Sequence, residues 1–72
     1  MRLQDYLEAN NLKKVRLERN LRQWQLGLMS KVTISRISQI EQGSPAGEKE
    51  KKTLAKALDT TIGIIWPEDL NE

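Results

Sequence analysis

The sequence predicts an all-α fold. Apolar residues recur three or four apart, and no stretch of four or more residues alternates with the period of two that marks a strand. The punctuation agrees: Asn20, Gly43 and Pro67 stand where helical patterns stop, and Thr33 stands where one starts.

The first pattern holds Leu12, Val15 and Arg16 and ends near Asn20, a residue that tolerates the left-handed backbone of a helix stop. The second runs from about Arg22 to Ser30, with Leu26, Gly27 and Ser30 on one face. Lys31 and Val32 make the turn. Thr33 is the expected N-cap of the third helix, because its hydroxyl can accept from a free amide of the first turn. That helix ends at Gly43. Ser44-Pro45-Ala46-Gly47 reads as a loop. The fourth helix covers roughly Glu48 to Leu58, with Leu54, Ala55 and Leu58 inward. Thr61 is expected to cap a last short turn through Ile62, Ile65 and Trp66, which Pro67 stops. The chain divides into a short N-terminal helical extension or arm, residues 1–10, and one domain, residues 11–70.

Composition excludes several functions. The chain has 72 residues, with no cysteine and no histidine. That removes disulfides, thiolate metal sites, the commonest metal ligand and the commonest general base. No metal, cofactor or small-molecule ligand is expected. The acidic pairs Glu48/Glu50 and Glu68/Asp69 have nothing beside them that would raise a pKa or position a nucleophile, so the chain does not read as an enzyme. No apolar run approaches the roughly 18 residues of a membrane helix. Residues 1–10 carry acids where a signal peptide would be apolar. The expected location is cytoplasmic.

Net charge is only +2, but it is uneven. Residues 11–22 hold five cations against Glu18, a balance of +4, and residues 44–72 carry −2. This concentration suits a polyanionic partner. Taken alone, it fits an ordinary solvated helix face better than a binding surface. The third helix sharpens the choice. At about 100° per residue, Ile37 and Ile40 lie together while Ser35, Ser38, Gln39 and Gln42 lie opposite, flanked by Ile34 and Arg36. Such a helix fits the major groove of double-stranded DNA. Gln39 suits bidentate pairing with adenine, Ile34 suits a thymine methyl, and Arg36 suits guanine or a phosphate. Gln23 opens the second helix, where its amide would meet a phosphate, and Arg22 beside it is a second phosphate candidate. Lys13, Lys14 and Arg19 are expected to be solvated.

The stretch from Gln23 to Gly43 resembles the helix-turn-helix of the Cro/phage-repressor (Xre-type) family. The matching run is Leu21, Gln23, Leu26, Gly27, Val32, Thr33, Ile37, Ser38, Ile40, Glu41 and Gly43, without a gap. Arg16 upstream and the segment Leu54 to Leu58 also match, over about residues 12–66 in all. The resemblance implies a compact five-helix phage-repressor-like bundle that binds operator DNA as a homodimer. It implies that Gln23 and Gln42 hold phosphates, that Thr33, Ile34, Ser35 and Gln39 face bases, and that Arg16 pairs with Glu41. The function expected is a DNA-binding regulator of transcription, such as a Cro-like repressor.

Several residues depart from the family pattern. Lys31 stands at a turn position where the family usually has glycine. If left-handed, it bears a strain of about 1 kcal/mol. Ile34 replaces a usually polar reader. Glu48, Lys51 and Lys52 stand where the family tends to be aliphatic, so lysine stems cover apolar surface there or the helix starts late. Conversely, Leu17, Trp24 and Leu28 are apolar where the family is usually polar. Ile64, Ile65, Trp66 and Leu70 either close the core or meet a second subunit. The outward Trp24/Leu28 patch keeps a rival reading open, a protein-interaction module of the same fold that does not read DNA specifically, antitoxin-like or polymerase-binding.

The N-terminal segment brings Leu3, Tyr6 and Leu7, an i, i+3, i+4 set. It is a candidate cover for Leu17, Trp24 and Leu28. On that expectation, deleting residues 1–9 lowers the melting temperature by several degrees. An unchanged melting curve would instead leave the patch to a subunit or partner interface.

Overall fold

The computed structural model describes residues 10–68. Among the described residues there are five helices and no strand: α1 (Leu12–Glu18), α2 (Gln23–Ser30), α3 (Ile34–Glu41), α4 (Glu48–Ala57) and α5 (Ile62–Ile65). Helix α2 packs against both α3 and α4, α1 packs against α3, and α5 closes on α4. The expected all-α bundle of five helices is what forms among the described residues.

The helical spacing produces one core. Leu12, Leu26, Ile37, Ile40, Leu54, Leu58 and Ile65 are each at most 1% exposed. All five helices contribute to this set, and Leu58, the one member outside a helix, is the C-cap of α4. Burying each such side chain stabilises by roughly 1.5–3 kcal/mol, against about 0–1 for an exposed ion pair, so apolar packing and not surface charge holds the bundle. Trp66 joins the core, and the ammonium of Lys51 sits 5.7 Å from its ring centroid. The lysine at this usually aliphatic position therefore lies along an apolar neighbour. Helix α4 does not start late.

Three helices close with the same device. A residue in the left-handed region follows the last turn, and the next amide reaches back five residues. Asn20 (φ 57°) lets Leu21 N donate to the Arg16 carbonyl at 3.1 Å. Gly43 (φ 113°) lets Ser44 N donate to Gln39 at 2.9 Å. Asp59 (φ 54°) lets Thr60 N donate to Ala55 at 2.9 Å. The stops at Asn20 and Gly43 match expectation; the one at Asp59 adds a third.

The turn between α2 and α3 is set by three residues. Lys31 is left-handed, with φ 62°. Buried Ser30 donates its hydroxyl to the Leu26 carbonyl at 2.7 Å and accepts from Val32 N at 3.2 Å. A Cβ on Gly27 would lie 3.1 Å from the Val32 carbonyl oxygen, so the missing side chain admits the turn against α2. Thr33 caps α3 as expected, its Oγ1 accepting from Arg36 N at 3.2 Å.

One expectation needs correction. Thr61 precedes α5 but makes no side-chain cap. The amide its hydroxyl would take, Ile64 N, donates instead to Thr61's own carbonyl at 3.2 Å. Arg19 is exposed as expected, and its Nε also donates to the Leu58 carbonyl, which ties the end of α1 to the end of α4. The chain enters α1 through a pair of asparagines. Asn10 accepts from Leu12 N and donates to the Ile40 carbonyl, while Asn11 donates its side-chain amide to the Ile64 carbonyl and its backbone amide to Ile65. The segment expected to cover Leu17, Trp24 and Leu28 lies, apart from Asn10, outside the described residues, as does Leu70.

Lys31 offers a direct test of backbone strain. A left-handed lysine costs about 1 kcal/mol, part of which glycine returns as extra freedom in the unfolded chain. Lys31→Gly is expected to raise the melting temperature by about 2–5 °C. A fall, read by thermal denaturation, would mean that the lysine stem contributes more than its backbone costs.

Candidate nucleic-acid interface

Helix α3 separates its two faces sharply. Ile37 and Ile40 have no exposed surface, while Thr33, Ser35, Gln39 and Gln42 are exposed and Ser38 is half-buried. Ile34, at the first position of the helix, is 48% exposed. The hydrophilic flank faces away from the bundle.

The orientation of this helix rests on the Glu41 carboxylate. Arg16 Nε donates to Glu41 Oε2 at 2.7 Å and Nη2 to Oε1 at 3.2 Å. Gln23 Nε2 donates to the same Oε1 at 3.1 Å. Arg16 Nη1 reaches the Leu21 carbonyl at 2.7 Å. The charged side chains are 7% and 5% exposed. Such a pair is weak support for net stability, because desolvation offsets the Coulombic gain; what it contributes is geometry. The expected Arg16–Glu41 contact is present and ties α1 to α3. The bond from Gln23 fixes the start of α2 as well.

The expected DNA-facing residues therefore fall into groups. Thr33, Ile34, Ser35 and Gln39 line the outer side of α3. Gln42, the C-cap of α3, donates its Nε2 to Ser38 Oγ at 3.3 Å and is otherwise open. Gln23 is half-buried and spends one amide hydrogen on Glu41, which leaves one for a phosphate. Arg22 is exposed and extended at the start of α2, and its backbone amide donates to Gln25 Oε1 at 2.8 Å.

Arg36 does not project freely. Its Nε donates to Glu50 Oε2 at 2.7 Å, and its Nη2 donates to Glu50 Oε1 at 2.9 Å and to the Pro45 carbonyl at 2.8 Å. Its Nη1 donates to Gln39 Oε1 at 3.4 Å. The guanidinium thus lies between α3, the following loop and α4. Glu50 also accepts from Gly47 N at 2.9 Å. The hydrogen bonds from Arg36, then that from Gly47, hold the Glu50 carboxyl at about 2, well below its ordinary 4.5. Reciprocally, the bond from Glu50 raises the Arg36 pKa.

Two cations escaped the sequence reading. Lys31 and Lys49 are exposed and line a groove of about 550 Å³ with Thr33, Arg36, Glu50 and Thr53. Lys31 was legible only as a strained turn residue. Lys49 gave no signal, because its nearness to the turn depends on how α4 folds back.

A second surface is apolar. Leu17, Trp24 and Leu28 are 53%, 52% and 74% exposed. Trp24 and Ile34 line two grooves, one reaching Leu17 and Leu21 and the other reaching Leu28 and Val32.

The family model described as Helix-turn-helix, of the Cro/phage-repressor type, matches residues 12–65. This chain belongs to the Cro/phage-repressor (Xre-type) helix-turn-helix family. The match begins at the first residue of α1 and ends at the last of α5, so it covers the whole bundle. The family is one of DNA-binding regulators. No curated protein matches the chain, and no solved structure does. Among the described residues, no helix of this helix-turn-helix protein is long and apolar enough to cross a membrane.

The Arg36–Glu50 clamp carries a pH dependence of known sign. A carboxylate depressed in the folded state stabilises fully above its unfolded pKa and loses that contribution as pH falls through the folded value. The window here is from about pH 4.5 down to about 2. Both side chains are near 30% exposed, so water screens the pair and the effect is small. Glu50→Gln is expected to melt slightly below the native protein at pH 6–7, with the gap closing as the pH drops through that window. A gap independent of pH would show that the clamp does not titrate as described.

Proposed function

We propose that this helix-turn-helix domain is a sequence-specific operator-binding regulator that works in the manner of Cro. Helix α3 enters the major groove, with Thr33, Ile34, Ser35 and Gln39 against base edges. Gln23, Arg22 and Gln42 hold the phosphate backbone on either side. Two copies bind a pseudo-palindrome, with half-sites about 34–36 Å apart. Regulation follows from occupancy, in which the bound pair blocks or recruits polymerase.

One observation carries this reading: the long polar side chain of Gln39 and the small polar Ser35 stand exposed on a helix whose opposite face is wholly buried. A polar face that serves only as solvated surface has no need of such a rigid mount. The Glu41 junction and the Thr33 cap fix α3 against the bundle, so the reading groups are held before DNA arrives. Phosphate contacts supply much of the affinity of such a domain, and base contacts supply its selectivity.

Selection from a random DNA pool is expected to return an enriched, two-fold related site, and binding to that site is expected to weaken steeply with salt. Gln39→Ala is expected to cost about 1–3 kcal/mol on the selected site and to relax preference at one position per half-site. A pool that returns no enriched sequence would overturn specific readout. No salt-dependent shift on any duplex would return the chain to the reading as a protein-interaction module.

A further inference from the structure

Arg36 and Gln39 lie one helical turn apart on the exposed side of α3. A free arginine in that place would be an ordinary partner for guanine or a phosphate. Here the guanidinium has five N–H groups, and four are engaged: one on Nε and one on Nη2 by Glu50, the second on Nη2 by Pro45, and one on Nη1 by Gln39. The fork that would pair with a guanine edge is already filled by a carboxylate. Glu50 is itself fixed by the amide of Gly47 at the start of α4. A continuous chain of contacts therefore runs from the α4 N-cap through Glu50 and Arg36 to Gln39.

The last link has a chemical direction. A carboxamide has one accepting and one donating end, and an arginine N–H can meet only the accepting end. Contact with Arg36 Nη1, the longest of the four at 3.4 Å, turns Gln39 Oε1 toward the arginine and leaves Nε2 on the other side. Bidentate pairing with adenine needs the oxygen and the nitrogen in one stated order along the base edge. Fixing that order before binding selects between two otherwise equivalent flips of an exposed side chain.

We infer that Glu50 is a specificity-determining positioning residue: it withholds Arg36 from bases and phosphates and, through Arg36, sets the carboxamide orientation of Gln39. The inference rests on the reading of Gln39 as a base-facing residue. Glu50 acts at one remove. In this arrangement Arg36 adds no phosphate contact, although it stands on the recognition helix.

The test compares the native domain, Glu50→Gln, Arg36→Met and the double variant Glu50→Gln/Arg36→Met. Each is assayed by selection from a random duplex pool and by the salt dependence of binding to the native-selected site, with thermal melts confirming folding. Glu50→Gln keeps the shape and removes the charge that holds Arg36. It is expected to steepen the slope of log K against log salt by about one, as the released arginine takes a phosphate. Alternatively, the released arginine shifts the base preference next to the Gln39 position toward guanine. Either result supports the inference provided that adding Arg36→Met removes the change. Arg36→Met alone is expected to relax preference at the Gln39 position by several-fold with the salt slope unchanged.

The inference is overturned if Glu50→Gln keeps both the native base preference and the native slope. It is equally overturned if Arg36→Met alone lowers the slope by about one, which would make Arg36 a phosphate ligand in the native complex. If the native domain itself selects no site, the fault lies in the operator-binding reading and not in Glu50. The two failures are therefore distinguishable.

Discussion

The carboxylate of Glu41 is the junction on which the arrangement of the first three helices depends. It accepts from Arg16 on α1 and from Gln23 at the start of α2, and it belongs to the last residue of α3. Apolar packing would hold these helices together without it, because packing has no strong directional preference. The junction restricts which packing is reached. An arginine buried this deeply must keep its acceptor, and the acceptor must keep its donors, since an orphaned charge in the interior is far more costly than an intact pair is beneficial. Rotating α3 by even a fraction of a turn would break that set. The outward aim of Ser35 and Gln39 is thus coupled to a contact on the inner side of the same helix. Among the described residues, no buried polar side-chain atom lacks a partner.

The other end of α3 is fixed differently. The turn after α2 relies on a left-handed Lys31, a glycine that lets two backbones approach, and two hydroxyls that take up amides the helices leave free. One end of the helix is held by charge and the other by backbone conformation. Between them Ile37 and Ile40 are packed against α1 and α2 residues of the core. The third point of support is the Arg36 clamp to the loop and α4. Of these supports, the Glu41 junction is buried, while the clamp is open to solvent.

What the sequence disclosed and what it hid divide along contact distance in the chain. Helix starts and stops depend on residues within five positions, so Thr33, Asn20 and Gly43 could be read from side-chain chemistry alone. The inward faces followed from periodicity. Arg16 and Glu41 lie 25 residues apart and were legible only through resemblance to a family. Arg36 and Glu50 are 14 apart across a loop containing proline and two glycines, and no periodic pattern reports where such a loop returns. Asn10 with Ile40 and Arg19 with Leu58 are hidden for a further reason: one partner is a backbone carbonyl, which any residue supplies. Thr61 failed in the opposite sense. Its local signal was sound, but in a helix of four residues the chain's own carbonyl took the amide first.

The two tryptophans occupy opposite environments. Trp66 is sealed into the core at 8% exposure beneath the Lys51 ammonium, while Trp24 stands 52% exposed one residue past the start of α2. The intrinsic emission of the folded molecule is therefore the sum of a shielded indole and a wet one. The first is sensitive to the integrity of the α4–α5 packing, and the second to whatever approaches the helix pair from outside. A soluble quencher would strip the second signal while sparing the first, so one chain carries separate optical reporters of its interior and its surface.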